Sequence, residues 1–411
     1  MNPIYRRTCL LLSLLFFSSQ FFSQKNEIDS LKSALILNSR LDTNRINTLY
    51  RLAFASFQKD ENITKAYLKE VTYLSDSLNY PLGKAKQYYL RGILQSRKSN
   101  YPESLNLFQQ SLKHYESINN KKGIASVYSA FGITHFVQSE YEEALCDYKR
   151  ASEVFKEFED KKELVSSLIR IGNVYAQLGR YDEAISNYNQ ALSHSENIDN
   201  GFSVVNIYSR LGVVYKNQGN YPLAIEYYNK TLEYHEENKD TLGTAVSNNN
   251  LGDAYTTIKK YDDALKYHMR SLKYASQIGN KSLIATNTNN LGNIYLAKKE
   301  YSTALKHYNT SLKTSNEVNQ LEQMKLCYHN IGELNLILGK STEARENFSH
   351  AEDISHKIGS KRGLSYSLLG IAETYLVENN NKKAYIYAQK GKKYALELKI
   401  IETEKKAEEL L

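Results

Sequence analysis

The chain has 411 residues, a formal net charge of +8 and 24% charged residues. Over this length the charge is mild, and the lysines occur in short doublets between predicted helices, which argues against nucleic-acid binding. The sequence contains no His-x-x-x-His metal helix, no glycine-rich phosphate loop and no serine elbow. We therefore expect no enzyme activity, no metal and no cofactor.

Residues 1–23 differ from the rest of the chain. Arg6 and Arg7 precede an apolar run over residues 9–17, and polar residues follow it. This order predicts a secretory signal peptide, and hence export to a bacterial periplasm or cell envelope. The alternative is an uncleaved N-terminal anchor, because Phe21 and Phe22 lengthen the apolar run, and an anchor implies association with a membrane.

Residues 24–41 are predicted to form an N-terminal capping helix, and residues 42–399 a repeat array. A small residue recurs every 40 residues through most of the array. These residues are Gly92, Gly132, Gly172, Gly212, Gly252, Gly292, Gly332 and Ala372. A period of this size is typical of a solenoid, in which each unit buries its apolar face only against its neighbours. We number each repeat from its small residue, so that position +1 follows it and position −2 lies two residues before it.

Each repeat is predicted to contain two helices. After Gly172, apolar residues continue at helical spacing until Gly179 and Arg180 interrupt the pattern, and a second apolar stripe begins at Tyr181. The small residues are expected where the two helices cross, since a larger side chain would separate them. Most second helices carry an aromatic residue at position +16, which His268 and Ala388 replace in their own repeats.

This arrangement resembles the tetratricopeptide repeat. The matching residues in one unit are Leu211, Gly212 and Tyr215 in the first helix and Tyr221 and Ala224 in the second. The resemblance implies an all-α, right-handed superhelical solenoid of about nine helix-turn-helix repeats, in a variety with 40 rather than 34 residues per repeat. Arrays of this kind resemble the exported sensor regions of bacterial histidine kinases and membrane-linked transcription regulators. Residues 400–411 are expected to be a C-terminal capping helix or a truncated tenth repeat.

The resemblance also implies where a partner would bind. In this family the first helices line the concave face, and ligand contacts come mainly from positions −2 and +1. The position −2 residues are Arg170, Arg210, Asn250, Asn290 and Asn330, and the position +1 residues include Asn173, Asp253, Asn293 and Glu333. Asn206, Asn249 and Asn289 lie beside them. We predict a peptide-binding site at Arg170, Asn173, Asn206, Arg210, Asn250, Asn290, Asn293 and Asn330.

The position −2 asparagines are expected to be largely exposed and to lack strong partners within the chain. An asparagine can both donate to and accept from a peptide backbone, and an arginine can bind a carboxylate with two hydrogen bonds. The alternative is that these residues are ordinary solvated surface. Two hypotheses about function follow: a non-enzymatic scaffold that binds an extended peptide or partner protein in its groove, or the sensor module of a histidine kinase or transcription regulator separated from its effector.

Overall fold

The computed structural model of the chain describes residues 20–37, 40–57, 59–195, 198, 201–398 and 401–410. All regular secondary structure in these residues is α-helical. The helices, in chain order, are α1 Gln20–Leu37, α2 Thr43–Ser56, α3 Glu61–Ser77, α4 Pro81–Arg97, α5 Tyr101–Ser117, α6 Lys121–Gln138, α7 Tyr141–Glu157, α8 Lys161–Gln177, α9 Tyr181–Ser195, α10 Phe202–Asn217, α11 Tyr221–Glu237, α12 Thr241–Thr257, α13 Tyr261–Gln277, α14 Lys281–Ala297, α15 Tyr301–Glu317, α16 Leu321–Ile337, α17 Ser341–Ile358, α18 Lys361–Val377, α19 Asn381–Leu398 and α20 Ile401–Glu409.

The helices end at intervals of 20 residues because a left-handed residue recurs at that spacing. Ser99, Gly279 and Lys299 have φ angles of 61°, 64° and 63°, and glycine takes this conformation without a steric cost. The next amide then bonds back to the finished helix, as Glu300 N donates to the carbonyl oxygen of Tyr295 at 2.8 Å. The short turns that result hold successive helices side by side.

Polar residues start the following helices. The side-chain oxygens of Asp240 and Asn280 each accept a backbone N–H at 3.0 Å, from Gly243 and Leu283 respectively. These contacts satisfy one of the free amides at the first turn of α12 and of α14. The 20-residue spacing of turns and caps makes the even-numbered helices α2–α18 the first helices of successive repeats and the odd-numbered helices α3–α19 the second helices.

The repeated glycines allow the two helices of each repeat to pack closely. A Cβ atom added at Gly292 would lie 2.5 Å from the ring of Tyr308, and one added at Gly172 would lie 2.5 Å from the ring of Tyr188. The same geometry recurs between Gly252 and His268, at 2.7 Å. The predicted role of the glycines in packing is therefore confirmed, and position +16 supplies the ring that covers these three glycines.

The chain divides into two compact units between Val214 and Tyr215, inside α10. In the described part of the chain, one comprises residues up to 214 and the other comprises residues from 215 onward. We call their described parts, residues 20–214 and 215–410, the N-terminal unit and the C-terminal unit. Each consists of tandem helix pairs, so the predicted all-α solenoid fold is confirmed. One continuous array over residues 42–399 stays a prediction.

The predicted leader lies mostly in residues 1–19, outside the described residues. Helix α1 begins at Gln20, within the predicted leader, and α20 lies within the predicted C-terminal cap. None of the helices in the described part of the chain is long and apolar enough to cross a membrane. The boundaries at residues 23, 41 and 399 stay predictions.

Candidate functional site

Two position −2 asparagines of the C-terminal unit, Asn290 and Asn330, are hydrogen-bonded and half-buried. Asn290 Nδ2 donates to Asp253 Oδ1 at 2.8 Å and to Asn249 Oδ1 at 3.4 Å. Asn330 Nδ2 donates to Asn293 Oδ1 and to Asn289 Oδ1, both at 3.0 Å. For Asn290 and Asn330, the expectation of largely exposed side chains without partners is wrong, because each faces the first helix of the preceding repeat and finds acceptors there.

The N-terminal unit contains the same contact with an arginine as donor. Arg210 Nη1 donates to Asn173 Oδ1 at 2.6 Å, and its Nε donates to Asn206 Oδ1 at 2.7 Å. In both units, a polar residue at position −2 therefore donates to the residue at position +1 of the preceding repeat where that residue offers an oxygen acceptor. We call this set of contacts the amide ladder.

The position +1 residue also binds the second helix of its own repeat. The hydroxyl groups of Tyr188 and Tyr308 donate to Asn173 Oδ1 and Asn293 Oδ1, each at 2.8 Å. One amide oxygen thus joins three helices, two in its own repeat and one in the next. This double use explains why a poor helix former occupies the middle of α8 and α14.

Two position −2 residues lack this contact. Nη1 of Arg170 is buried without a hydrogen-bond partner among the described residues, and the position +1 residue before it is Ile133, which is 41% exposed. Asn250 likewise makes no side-chain hydrogen bond within the described part of the chain, and Val213 holds position +1 in the preceding repeat of the sequence. An aliphatic residue cannot accept a hydrogen bond, so the amide ladder is interrupted at these positions.

An open hollow of about 250 Å³ lies on the first helices of the C-terminal unit. Its lining is polar, and it holds two of the residues that the sequence predicts as peptide-binding, Asn290 and Asn293. The hollow is lined by Lys216, Asp253, Thr256, Thr257, Asn290 and Asn293.

The two asparagines present complementary groups to the hollow. Asn290 uses its NH2 group in the amide ladder, and its Oδ1 accepts no hydrogen bond from the described residues. Asn293 uses its Oδ1, and its Nδ2 makes no hydrogen bond to them. Since they lie three residues apart on α14, one acceptor and one donor stand unused on the same helix face.

Lys216 is the cation of the hollow. Its side chain is half-buried and makes no ion pair or hydrogen bond with any described residue. Other lysines of the C-terminal unit pair with carboxylates of a neighbouring repeat, such as Lys298 with Asp262 at 3.0 Å. The carboxylate of Asp253 lies in the same hollow but is held by Asn290.

The predicted site residues are therefore distributed over both units. Arg170, Asn173, Asn206 and Arg210 lie on first helices of the N-terminal unit, and Asn250, Asn290, Asn293 and Asn330 on those of the C-terminal unit. Lys216, Thr256 and Thr257 were missed as site residues. Their signal in the sequence is helical spacing, since Lys216 lies four residues after Gly212, on the face that carries position +1.

No group of three or more His, Cys, Asp and Glu residues in the described part of the chain is arranged to hold a metal ion. Of the two described cysteines, Cys327 is buried in α16 and Cys146 is exposed on α7. The hollow contains hydrogen-bonding groups and one charge of each sign, and such groups can bind a polar ligand.

Comparison with known proteins supports the fold. The chain is similar to a signal-transduction ATPase with a tetratricopeptide repeat sensor from Pyrococcus horikoshii, with 15% identity and a TM-score of 0.61 over 81% of this chain and 50% of that one. It is also similar to the apo form of the quorum sensor NprR from B. thuringiensis, with 15% identity and a TM-score of 0.56 over 82% and 99% of the two chains. A Rap protein complexed with competence and sporulation factor matches with 15% identity and a TM-score of 0.54 over 81% and 92%. At these identities the likeness concerns the fold alone, and the chain spans half the length of the ATPase.

No curated protein sequence shows significant similarity to this chain. The sequence profile of the tetratricopeptide repeat matches six overlapping segments, residues 85–157, 123–197, 163–237, 203–277, 243–317 and 283–357. Because these segments cover more than half of the chain in the register of the observed helix pairs, the protein belongs to the tetratricopeptide repeat family.

Proposed function

We propose that the chain is a non-enzymatic scaffold that binds an extended peptide segment of a partner protein across the first helices of its C-terminal unit. The observation that carries this proposal is the unused acceptor of Asn290 beside the unused donor of Asn293. A peptide backbone offers one N–H and one C=O per residue, so it complements this pair whatever its side chains are. Among the structural neighbours, the Rap protein is complexed with competence and sporulation factor, which agrees with a ligand on this fold.

Lys216 adds a preference for one kind of peptide. An unpaired, half-buried cation is stabilised by a carboxylate, and a charge-assisted hydrogen bond is stronger than a neutral one. The bound segment therefore carries an acidic side chain, or its own terminal carboxylate, next to Lys216. Asp253 does not replace it because Asn290 holds that carboxylate at 2.8 Å.

Matched peptide pools test the proposal on the full chain. The Glu pool is a fluorescein-labelled mixture Ac-X4-Glu-X4-NH2, in which X is any uncharged residue except cysteine. The Gln pool has glutamine at the centre. A third pool, the free-carboxylate pool, has a free carboxyl terminus in place of the central Glu. Fluorescence anisotropy measures binding. We expect the Glu pool or the free-carboxylate pool to bind about tenfold more tightly than the Gln pool, which corresponds to about 1.4 kcal/mol.

Two variants locate the binding site. Asn293→Asp keeps the oxygen that accepts from Tyr308 and Asn330 but removes the outward donor, and we expect it to weaken binding of the Gln pool about tenfold. Lys216→Gln should abolish the preference for the Glu pool. Lys273→Gln is the control, since Lys273 is an exposed lysine on the second helix α13. If no pool binds, the proposal is wrong; if the Asn293 variant binds as the wild type does, the site lies elsewhere.

Export stays part of the proposal and has its own test. A signal peptide would be removed on export, so N-terminal sequencing of the protein from a periplasmic fraction should begin near residue 24. An intact N-terminus in a membrane fraction would instead support the anchor. The sensor-module alternative requires an effector, and a histidine kinase or regulator encoded next to this chain would favour it.

A further inference from the structure

His268 is a fully buried histidine, and its contact with Asn287 favours one tautomer. Its ring is 0% exposed, and its Nδ1 lies 3.2 Å from Asn287 Oδ1. Asn287 donates its Nδ2 to the carbonyl oxygen of Leu283 at 2.9 Å, so its oxygen must face the ring. An oxygen accepts only, and therefore Nδ1 of His268 carries the hydrogen.

The other ring nitrogen then faces a second acceptor. In the neutral ring with hydrogen on Nδ1, Nε2 carries a lone pair and no hydrogen. This nitrogen lies 3.7 Å from Asp253 Oδ1 and has no hydrogen-bond partner among the described residues. Two acceptors at this distance repel each other, and burial makes an unpaired acceptor costly. One added proton on Nε2 would turn the repulsion into a charge-assisted hydrogen bond.

The next repeat shows what this pair replaces. There, Tyr308 and Asn293 hold the equivalent positions, and the tyrosine hydroxyl supplies its own hydrogen to the amide oxygen at 2.8 Å. In the repeat of Gly252 both positions change together, to His268 and Asp253. The first arrangement needs no proton from solvent, whereas the second is complete only when it takes one up.

Few charges act on His268. Asp253 on α12 is the ionisable group that faces it, α14 contributes the neutral Asn287, and the α12 backbone contributes Gly252. The other neighbours of Asp253 are Lys216 in the hollow, the amide of Asn290, and Asn249, whose Nδ2 donates to Asp253 Oδ2 at 3.5 Å. Burial lowers the pKa of His268, and the carboxylate of Asp253 opposes that shift.

We propose that His268 and Asp253 form a proton-binding pair that makes ligand binding in the hollow depend on pH. When Nε2 takes a proton from solvent, Asp253 Oδ1 moves toward the ring and away from Asn290. The carboxylate charge beside Lys216 is then balanced from within the protein, so Lys216 attracts a ligand carboxylate more strongly. The ligand part of this inference rests on the proposed function, whereas the proton site does not.

Acidification should therefore strengthen binding of the Glu pool. Between pH 7.5 and pH 5.5 a glutamate side chain stays ionised, so a change in affinity over this range reports on the protein rather than on the ligand. We expect affinity for the Glu pool to rise about fivefold, at the lower end of common coupling strengths between sites. Linkage is reciprocal, so bound peptide should raise the pH at which His268 titrates.

Nuclear magnetic resonance of the full chain with ¹⁵N-labelled histidine tests the proton site without any ligand. His268 is assigned as the signal absent from the double variant Asp253→Asn/His268→Tyr, which recreates the Tyr308–Asn293 pair. We expect hydrogen on Nδ1 at pH 7.5 and hydrogen on both nitrogens at the acidic end of a titration to pH 5. Hydrogen on Nε2 at pH 7.5, or no titration in this range, would overturn the inference.

The peptide pools test the coupling. The pH effect on the Glu pool should be present in the wild type, absent in the double variant, and unchanged in Lys273→Gln. An effect that persists in the double variant overturns the coupling. If the histidine behaves as expected but no pool binds at either pH, the proton pair stands and the proposed peptide-binding function fails.

Discussion

Asn330 and Arg170 occupy the same position in their repeats, yet only Asn330 is bonded to the repeat before it. Asn330 donates to Asn293 and Asn289 at 3.0 Å, whereas Nη1 of Arg170 is buried without a partner among the described residues. The difference comes from the preceding position +1, which is Asn293 in one case and Ile133 in the other. Whether a residue at position −2 stabilises the fold or keeps its polar groups unused thus depends on the residue 37 positions earlier.

The largest change in the free energy of unfolding is expected when the shared acceptor is removed. Asn293→Ala leaves the buried hydroxyl of Tyr308 and the NH2 group of Asn330 without their acceptor, and we expect a loss of about 2–3 kcal/mol. Hydrogen exchange should show it as local opening of α14–α16, because repeats couple mainly to their neighbours. Equal loss of protection in every repeat would contradict a local role for the amide ladder.

The buried His268 should make stability depend on pH. Burial lowers its pKa below the ordinary value of 6.5, so below that value the unfolded chain binds a proton before the folded chain does. The free energy of unfolding therefore falls as the pH is lowered below about 6.5, by at most about 1.4 kcal/mol per pH unit for one proton. Denaturation at pH 7.5 and 5.5 should show a smaller decrease in Asp253→Asn/His268→Tyr than in the wild type.

Supplying Arg170 with an acceptor should produce the reverse of the Asn293 result. Ile133→Asn places an amide oxygen where Asn173 and Asn293 stand in other repeats, and we expect a gain of about 1 kcal/mol. Ile133→Ala is the control because it removes the same apolar contact without adding an acceptor. The comparison fails if the two variants have the same free energy of unfolding in guanidinium.

The smallest effect is expected at Asn250. Its side chain makes no hydrogen bond with the described residues, so Asn250→Ala should change the free energy of unfolding by less than about 0.5 kcal/mol. A loss as large as that of Asn293→Ala would show that position −2 stabilises the fold by some means other than the amide ladder.

Much of the fold could be predicted from the sequence because the same residue pattern recurs along the chain. The 40-residue period predicts the helix pairs, and the glycines opposite Tyr188, His268 and Tyr308 lie where the predicted crossings place them. These features depend on near neighbours in the chain, where helical spacing decides which side chains face each other. Local geometry is sufficient for that part of the prediction.

The candidate site was only partly accessible in the same way. The sequence selects Asn290 and Asn293 by their positions, but it does not show which half of each amide is already used. That depends on contacts across repeats, such as Asn290 with Asp253, between residues 37 positions apart. The missed Lys216 is similar, since its lack of a partner is a property of the folded surface.

By itself, the sequence determined the family, the all-α repeat and the packing role of the small residues, because each follows from a period that recurs along the chain. Tertiary structure alone decided which asparagines bind one another, which groups remain unused in the hollow, and that the buried ring of His268 lies beside Asp253. The physical reason is that a hydrogen bond needs a donor and an acceptor at a fixed distance and orientation. A pattern of residue types gives the positions of these groups along a helix, and only the packing of helices brings each donor to its acceptor.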